Sequence, residues 1–208
     1  MSQYFHIHPV NPQARLIAQA VKIIREGGVV VYPTDSCYAF GCAVGEKEPA
    51  ERIRRLRQLD PKHDFTLVCR DLAQAATYAK IHNIAFRLIR SVTPGPYTFI
   101  LPATGEVPKR LLNPKRRTIG LRIPDNPIAM ALLEALGEPL MSTTMQLPGE
   151  DSALSDPQDM LDRIGHDVEL IIDGGICGIE PTTVVEFLDD VPHVVRVGKG
   201  DPGPIEAV

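Results

Sequence analysis

The chain has no tryptophan, and aromatic residues make up only 5% of its 208 positions. Proteins that grip single-stranded nucleic acid do so by stacking bases on aromatic side chains, so that mode of binding is disfavoured at the outset. Nothing approaches the run of about 18 apolar residues that a membrane helix requires. The opening MSQYFHIHP has neither the basic stretch nor the apolar core of a signal peptide. A cytoplasmic protein with no membrane partner is expected. The four cysteines, Cys37, Cys42, Cys69 and Cys177, match no zinc spacing, so reduced buried thiols are expected and no protein metal site. Also missing are a P-loop, a Gly-x-Gly-x-x-Gly after a strand, paired carboxylates and a Ser-His-Asp order. If this chain holds phosphates, side chains must do it.

Hydrophobic residues at 44% and charged residues at 23% are ordinary for one globular domain, read as spanning residues 1–208. The net charge of −4 conceals a split: 19 of 22 Lys and Arg lie in residues 1–122, and 17 of 26 Asp and Glu lie in residues 123–208. Such asymmetry points to an anionic partner, or to opposite charges that meet across the folded surface.

Helix punctuation recurs along the chain. Asn11-Pro12 through Gly27-Gly28, Asn126-Pro127 through Gly137, and Asp156-Pro157 through Gly165 each read as N-cap, first helical residue and terminating glycine. A basic helix is predicted over 49–58 and shorter ones over 71–80 and 83–91. Strands are predicted at 29–32, 65–69, 97–101, 118–123, 139–144, 168–173, 183–188 and 193–197, the last two antiparallel. The tail from Gly198 is expected to be loosely held. Apolar strands separated by helices give an α/β fold: a single-domain, open, twisted, mixed sheet with helices on both faces.

Ligands of open α/β sheets sit beyond strand ends. The strand ends here deliver Thr34, Ser36 and Tyr38; Thr118 and Arg122; Ser142, Thr143 and Thr144; Thr182; and Arg196. Guanidiniums and hydroxyls are the groups that bind carboxylates and phosphates. Arg57, on the basic helix, is the natural addition. Such an inventory suits chemistry that needs positioning and charge stabilisation, such as nucleotidyl transfer. Taken singly, each residue reads as β-propensity, a turn or a structural ion pair; together they point to one site.

The stretch YPTDSCYAFG resembles the signature of the YrdC-like threonylcarbamoyl-AMP synthase family, and the likeness continues through TIGLRIPDNP, the Ser/Thr cluster at 142–144, EPTTVVEF and VVRVG. Within that family the chain is most similar to the YciO branch. The resemblance implies that L-threonine, or another small amine, reacts with bicarbonate and ATP to give threonylcarbamoyl-AMP and pyrophosphate, with Mg2+, for tRNA modification. Carried over by position, it implies that Thr34, Tyr38, His63, Arg122, Ser142 and Thr182 surround the amine substrate. Arg57, Thr118, Thr144 and Arg196 would line the nucleotide, with Arg57 and Arg122 as the catalytic cations.

Two positions depart from the family pattern. Leu59 stands where a second cation is usual, and Met145-Gln146 replace Ala-Asn; a slow reaction is the implied consequence. The alternative is a nucleotide or double-stranded RNA binding protein, or a tRNA binder, using Lys109, Arg110, Lys115, Arg116 and Arg117 on phosphates. On the sequence alone, Arg122→Ala is expected to abolish amino-acid binding with little loss of stability.

Overall fold

The computed structural model describes residues 2–60, 63, 65–113 and 115–207. Met1 and Val208, the ends of the domain read from the sequence, lie outside them. The elements run β1 (Gln3–His6), α1 (Ala14–Arg25), β2 (Val30–Tyr32), β3 (Ala39–Ala43), α2 (Lys47–Arg57), β4 (Thr66–Val68), α3 (Leu72–Tyr78), α4 (Asn83–Val92), β5 (Tyr97–Pro102), β6 (Thr118–Arg122), α5 (Pro127–Leu136), β7 (Leu140–Thr144), α6 (Pro157–Ile164), β8 (Leu170–Asp173), β9 (Thr183–Leu188), β10 (Val191–Arg196) and α7 (Gly203–Glu206). The strands form one open sheet in the order β1-β8-β2-β3-β7-β4-β6-β5-β9-β10. It is mixed: β1–β8, β2–β8, β4–β6 and β5–β9 are parallel and the other neighbours antiparallel. No helix among the described residues is long and apolar enough to cross a membrane.

Helix punctuation held where it is local. Asn126 accepts from the N–H groups of Ile128 and Ala129, Gly137 closes α5 at φ +79°, and Asp156 caps α6. It failed at the first helix. His8 Nδ1 accepts from the N–H groups of Val10 and Asn11, which folds those residues into a turn, and α1 begins at Ala14 with Gln13 as its cap residue. Two strands escaped the pattern. β1 is a short edge strand, and β3 (AFGCA) is fully buried but built of small residues, so it lacks both alternation and β-branched side chains. The tail is not loose: Tyr97 donates to the Asp201 carbonyl, and Ile205 of α7 is buried in the core.

The two faces of the sheet differ, and the difference makes the site. One face is covered by α2, α3, α4, α6 and α7 around Leu67, Phe99, Leu121, Met141 and Val185. On the other, α1 and α5 pack on Val30, Tyr32, Ala39, Val68, Leu140, Leu170 and Ile172. That helical layer stops at β7 and β4. Farther along the same face the cross-strand register brings Ser142, Thr66, Gly120, Ile100, Thr98 and Val184 side by side. Four of these six are small or hydroxylated; among the described residues no helix covers this part of the face, and a cavity occupies the place of the missing layer.

Gly41 in β3 has a steric reason. A Cβ at that position would lie 2.8 Å from Cε1 of Tyr32, whose ring crosses the β2–β3 pair. Gly41→Ala is therefore expected to destabilise the fold by about 1–3 kcal/mol through overpacking, read as a lower urea midpoint at unchanged slope.

Candidate functional site

The turn after β2 is organised around a guanidinium from a distant strand. Arg122, at the end of β6, directs Nη2 to Thr34 Oγ1 at 2.9 Å, to Ser36 Oγ at 2.9 Å, and to the Asp35 carboxylate. Thr34 Oγ1 donates in turn to the Cys37 carbonyl and accepts from the Ser36 N–H, so one hydroxyl fixes the turn and the cation together. Both ion-pair partners are buried, with side-chain exposures of 10% for Arg122 and 9% for Asp35. The pair meets through one nitrogen and one oxygen rather than bidentately: among the described residues, Arg122 Nε and Asp35 Oδ2 are buried without hydrogen-bond partners. Such a pair leaves one carboxylate oxygen and the Nε donor unused.

Arg122 lines the cavity above the bare half of the sheet, which measures about 320 Å³. Two further guanidiniums reach it. Arg57, the last residue of α2, donates from Nε to the Gln146 carbonyl at 2.8 Å and from Nη1 to Thr143 Oγ1 at 2.8 Å. Arg196, the last of β10, donates to the Thr182 carbonyl at 2.9 Å, and Thr182 Oγ1 lies 2.8 Å from Thr98 Oγ1. Neither Arg57 nor Arg196 has a carboxylate partner among the described residues, and burial lowers the pKa of both. The cavity carries more positive charge than its walls neutralise.

The hydroxyls are held as firmly. Ser142 donates to the Phe40 carbonyl at 2.7 Å, so the Tyr32 hydroxyl, 2.9 Å away, donates to Ser142. Burial pushes the Tyr32 phenol up to about 12, which keeps that donor protonated at neutral pH. The Tyr38 hydroxyl donates to the Gly175 carbonyl and accepts from the Gly174 N–H, clamping the base of the loop that brings Ile179 and Pro181 to the rim. From the other side, Lys199 donates to the Asp35 carbonyl through Nζ and to the Pro181 carbonyl through its N–H. A second, shallower cavity of about 580 Å³ opens behind the turn, lined by Thr34, Asp35, Asp125, Asn126, Cys177 and Lys199 among others.

Of the residues read from the sequence, Tyr38, Arg57, His63, Arg122, Ser142, Thr144, Thr182 and Arg196 all line the first cavity. Thr34 stands behind Arg122 and borders the second cavity instead. Thr118 shares a sheet face with Gly120 and Arg122 but falls one step beyond the cavity lining. Thr143, read with the strand ends, lines the cavity too; sequence reasoning passed over Asp35 beside it and Thr66, Thr98 and Asp151 in its lining. For the two strand threonines the overlooked signal was alternation, since Thr66 and Thr98 fall on the face of Arg122.

The placing of Leu59 is a correction. Gln58 takes a left-handed conformation (φ 49°, ψ 43°), its N–H bonds to the Arg55 carbonyl, and the Leu59 N–H bonds to the Arg54 carbonyl. This is a Schellman helix end, whose next residue folds an apolar side chain back on the helix. Leu59 accordingly packs half-buried against the core and is absent from the cavity lining. The basic residues are engaged only in part. Arg116 pairs with Glu186, Arg110 donates to the Val44 carbonyl, and Arg52 bonds Glu48 and Glu169; Lys109, Lys115 and Arg117 are exposed.

Comparison with known proteins places the chain. The sequence model of the Sua5/YciO/YrdC family, described as telomere recombination, matches residues 22–198. The protein YciO of Escherichia coli K12 is 59% identical over 204 residues, covering 98% of this chain and 99% of its own length. The crystal structure of E. coli YciO superposes with a TM-score of 0.95 at 58% identity, over 99% of this chain and all of the other. The threonylcarbamoyl-AMP synthase of Hydrogenovibrio crunogenus is 36% identical over 139 residues, 65% of this chain and 74% of that protein. At 24% identity, the fold of P. abyssi Sua5, solved with L-threonine, matches with a TM-score of 0.91 over 99% of this chain and 60% of that one. The chain belongs to the Sua5/YciO/YrdC family.

The ion pair revises the stability expected from the sequence. Arg122→Ala would leave Asp35 as a buried charge without a partner, and is expected to cost about 3–5 kcal/mol. Arg57→Ala and Arg196→Ala remove bonds to neutral acceptors only, and are expected to cost less than about 1.5 kcal/mol each. Urea unfolding of the three variants checks the contrast.

Proposed function

We propose that this member of the Sua5/YciO/YrdC family is a nucleotidyltransferase of the threonylcarbamoyl-AMP synthase type, taking L-threonine or another small amine, bicarbonate and ATP. One observation carries the reading: three guanidiniums converge on one cavity of about 320 Å³, and two of them have no carboxylate partner among the described residues. A site so charged fits a ligand with several negative charges and disfavours a neutral one. The 36% identical threonylcarbamoyl-AMP synthase supports the choice of reaction.

The chemistry asks for what the cavity offers. The amine adds to bicarbonate with loss of water, giving a carbamate. A carbamate oxygen then bonds to the α-phosphorus of ATP as the bond to the β-phosphate oxygen breaks, and pyrophosphate leaves. Both carbamate and mixed anhydride are labile in water, so the apolar side chains that the 174–182 loop brings to the cavity, Ile179 and Pro181, are useful. Arg122, which lines the cavity, would receive the carboxylate of the amine substrate. Arg57 and Arg196 would take phosphate oxygens, gaining strength as charge moves towards pyrophosphate.

A magnesium ion fits this donor set. Mg2+ is usually held by one or two carboxylates together with substrate phosphates, and Asp151 is the one carboxylate in the cavity lining among the described residues. Bound there with the nucleotide, it would neutralise phosphate charge. For duplex RNA, Glu186 neutralises Arg116 alone of the five basic residues read from the sequence, and Lys109, Arg110, Lys115 and Arg117 keep their charge at the surface.

Incubation with labelled ATP, bicarbonate and each amino acid in turn is expected to release pyrophosphate with at least one of them. Arg57→Ala is expected to lower turnover by roughly 10²–10³-fold, the scale of losing one preorganised charge donor. Absence of pyrophosphate release with every amine would overturn the reading.

A further inference from the structure

We propose that Asp35 is an internal counter-ion that decides which anions Arg122 accepts. The inference rests on the cavity being an anion site, as above, and concerns selectivity within it. Arg122 and Asp35 form the wall between the two cavities: Arg122 lines the first, and Asp35 lines the second. Their charges cancel across a buried contact, yet their hydrogen bonding is incomplete. A single nitrogen, Nη2, with two hydrogens faces three acceptors, while the enclosed Nε and Asp35 Oδ2 have no partner among the described residues.

The cancelled charge weighs unequally on arriving ligands. A simple carboxylate gains little Coulomb energy from a guanidinium that is already neutralised, and must still lose its own hydration. A ligand held also by Arg57 or Arg196, which have no carboxylate partner among the described residues, keeps the attraction of charges that Asp35 does not cancel. Asp35 therefore holds down affinity for small anions and favours ligands anchored at several points. This differs from a purely orienting role, in which removing Asp35 would let Arg122 drift and weaken every ligand.

The two roles predict opposite signs. Asp35→Asn keeps the shape and one acceptor but removes the charge. As a counter-ion, its loss leaves Arg122 a buried cation without neutralisation, so the free protein melts at lower temperature while added anions are bound more tightly. Calorimetry with acetate and with L-threonine is expected to show both binding about tenfold or more tighter to Asp35→Asn than to the parent. The gain should vanish in Asp35→Asn combined with Arg122→Gln. Unchanged or weaker binding of both probes overturns the proposal and makes Asp35 an orienting residue. If Asp35→Asn does not fold, Asp35→Ala is refolded in formate or in chloride at equal ionic strength; recovery specific to formate supports the counter-ion, and no recovery overturns it. These readouts need no turnover. Tighter acetate binding without pyrophosphate release would leave this inference standing and sink the proposed reaction, and the converse result would do the reverse.

Discussion

A buried guanidinium that crosses from one part of the sheet to another governs this site. Arg122 belongs to β6, and the turn it organises follows β2, with β3, β7 and β4 between those strands in the sheet. No ladder bond joins the two, so the shape of the turn depends on a side chain meeting two hydroxyls and one carboxylate. Fixing that turn also fixes what hangs from it: Tyr38, whose hydroxyl clamps the Gly174-Gly175 step, and the Asp35 carbonyl that anchors Lys199.

The second constraint is an omission. An α/β sheet normally buries both faces, and here one face runs out of helix halfway across. The strands under the gap keep apolar residues towards the covered face and carry threonine, serine, glycine and arginine on the other, interspersed with Ile100 and Val184. Gly120 is part of this, since a Cβ there would lie 2.9 Å from Thr66 Oγ1. Glycine at this position leaves room for the Thr66 hydroxyl in the cavity floor.

Legibility followed the range of the interaction. Asn126 and Asp156 announced their helices because a cap is settled within three residues. The turn at His8 and the strand β3 were set by particular side-chain and cross-sheet contacts, so their local sequence misled or said nothing. At the site, arginines and hydroxyls at strand ends were readable from position and chemistry. Asp35 was not, because its significance is a partner 87 residues away. Thr118 was over-read: alternation assigns a face but not how far along that face a cavity extends. The family signature supplied His63, which no local argument would have picked out.

The helix end at Gln58 has a mechanical meaning. Arg57 is the last residue before the reversal, and the side chain that stops the reversal is Leu59, folded on the core. The leucine behaves as a peg against which the end of α2 is indexed, and Arg57 is the pointer carried by that end. The guanidinium then meets Thr143 and the Gln146 carbonyl at a fixed distance. A residue that touches no ligand in this way sets the aim of one that faces the cavity. Sequence drift at position 59 would accordingly surface as altered anion handling, with no change in the composition of the cavity itself.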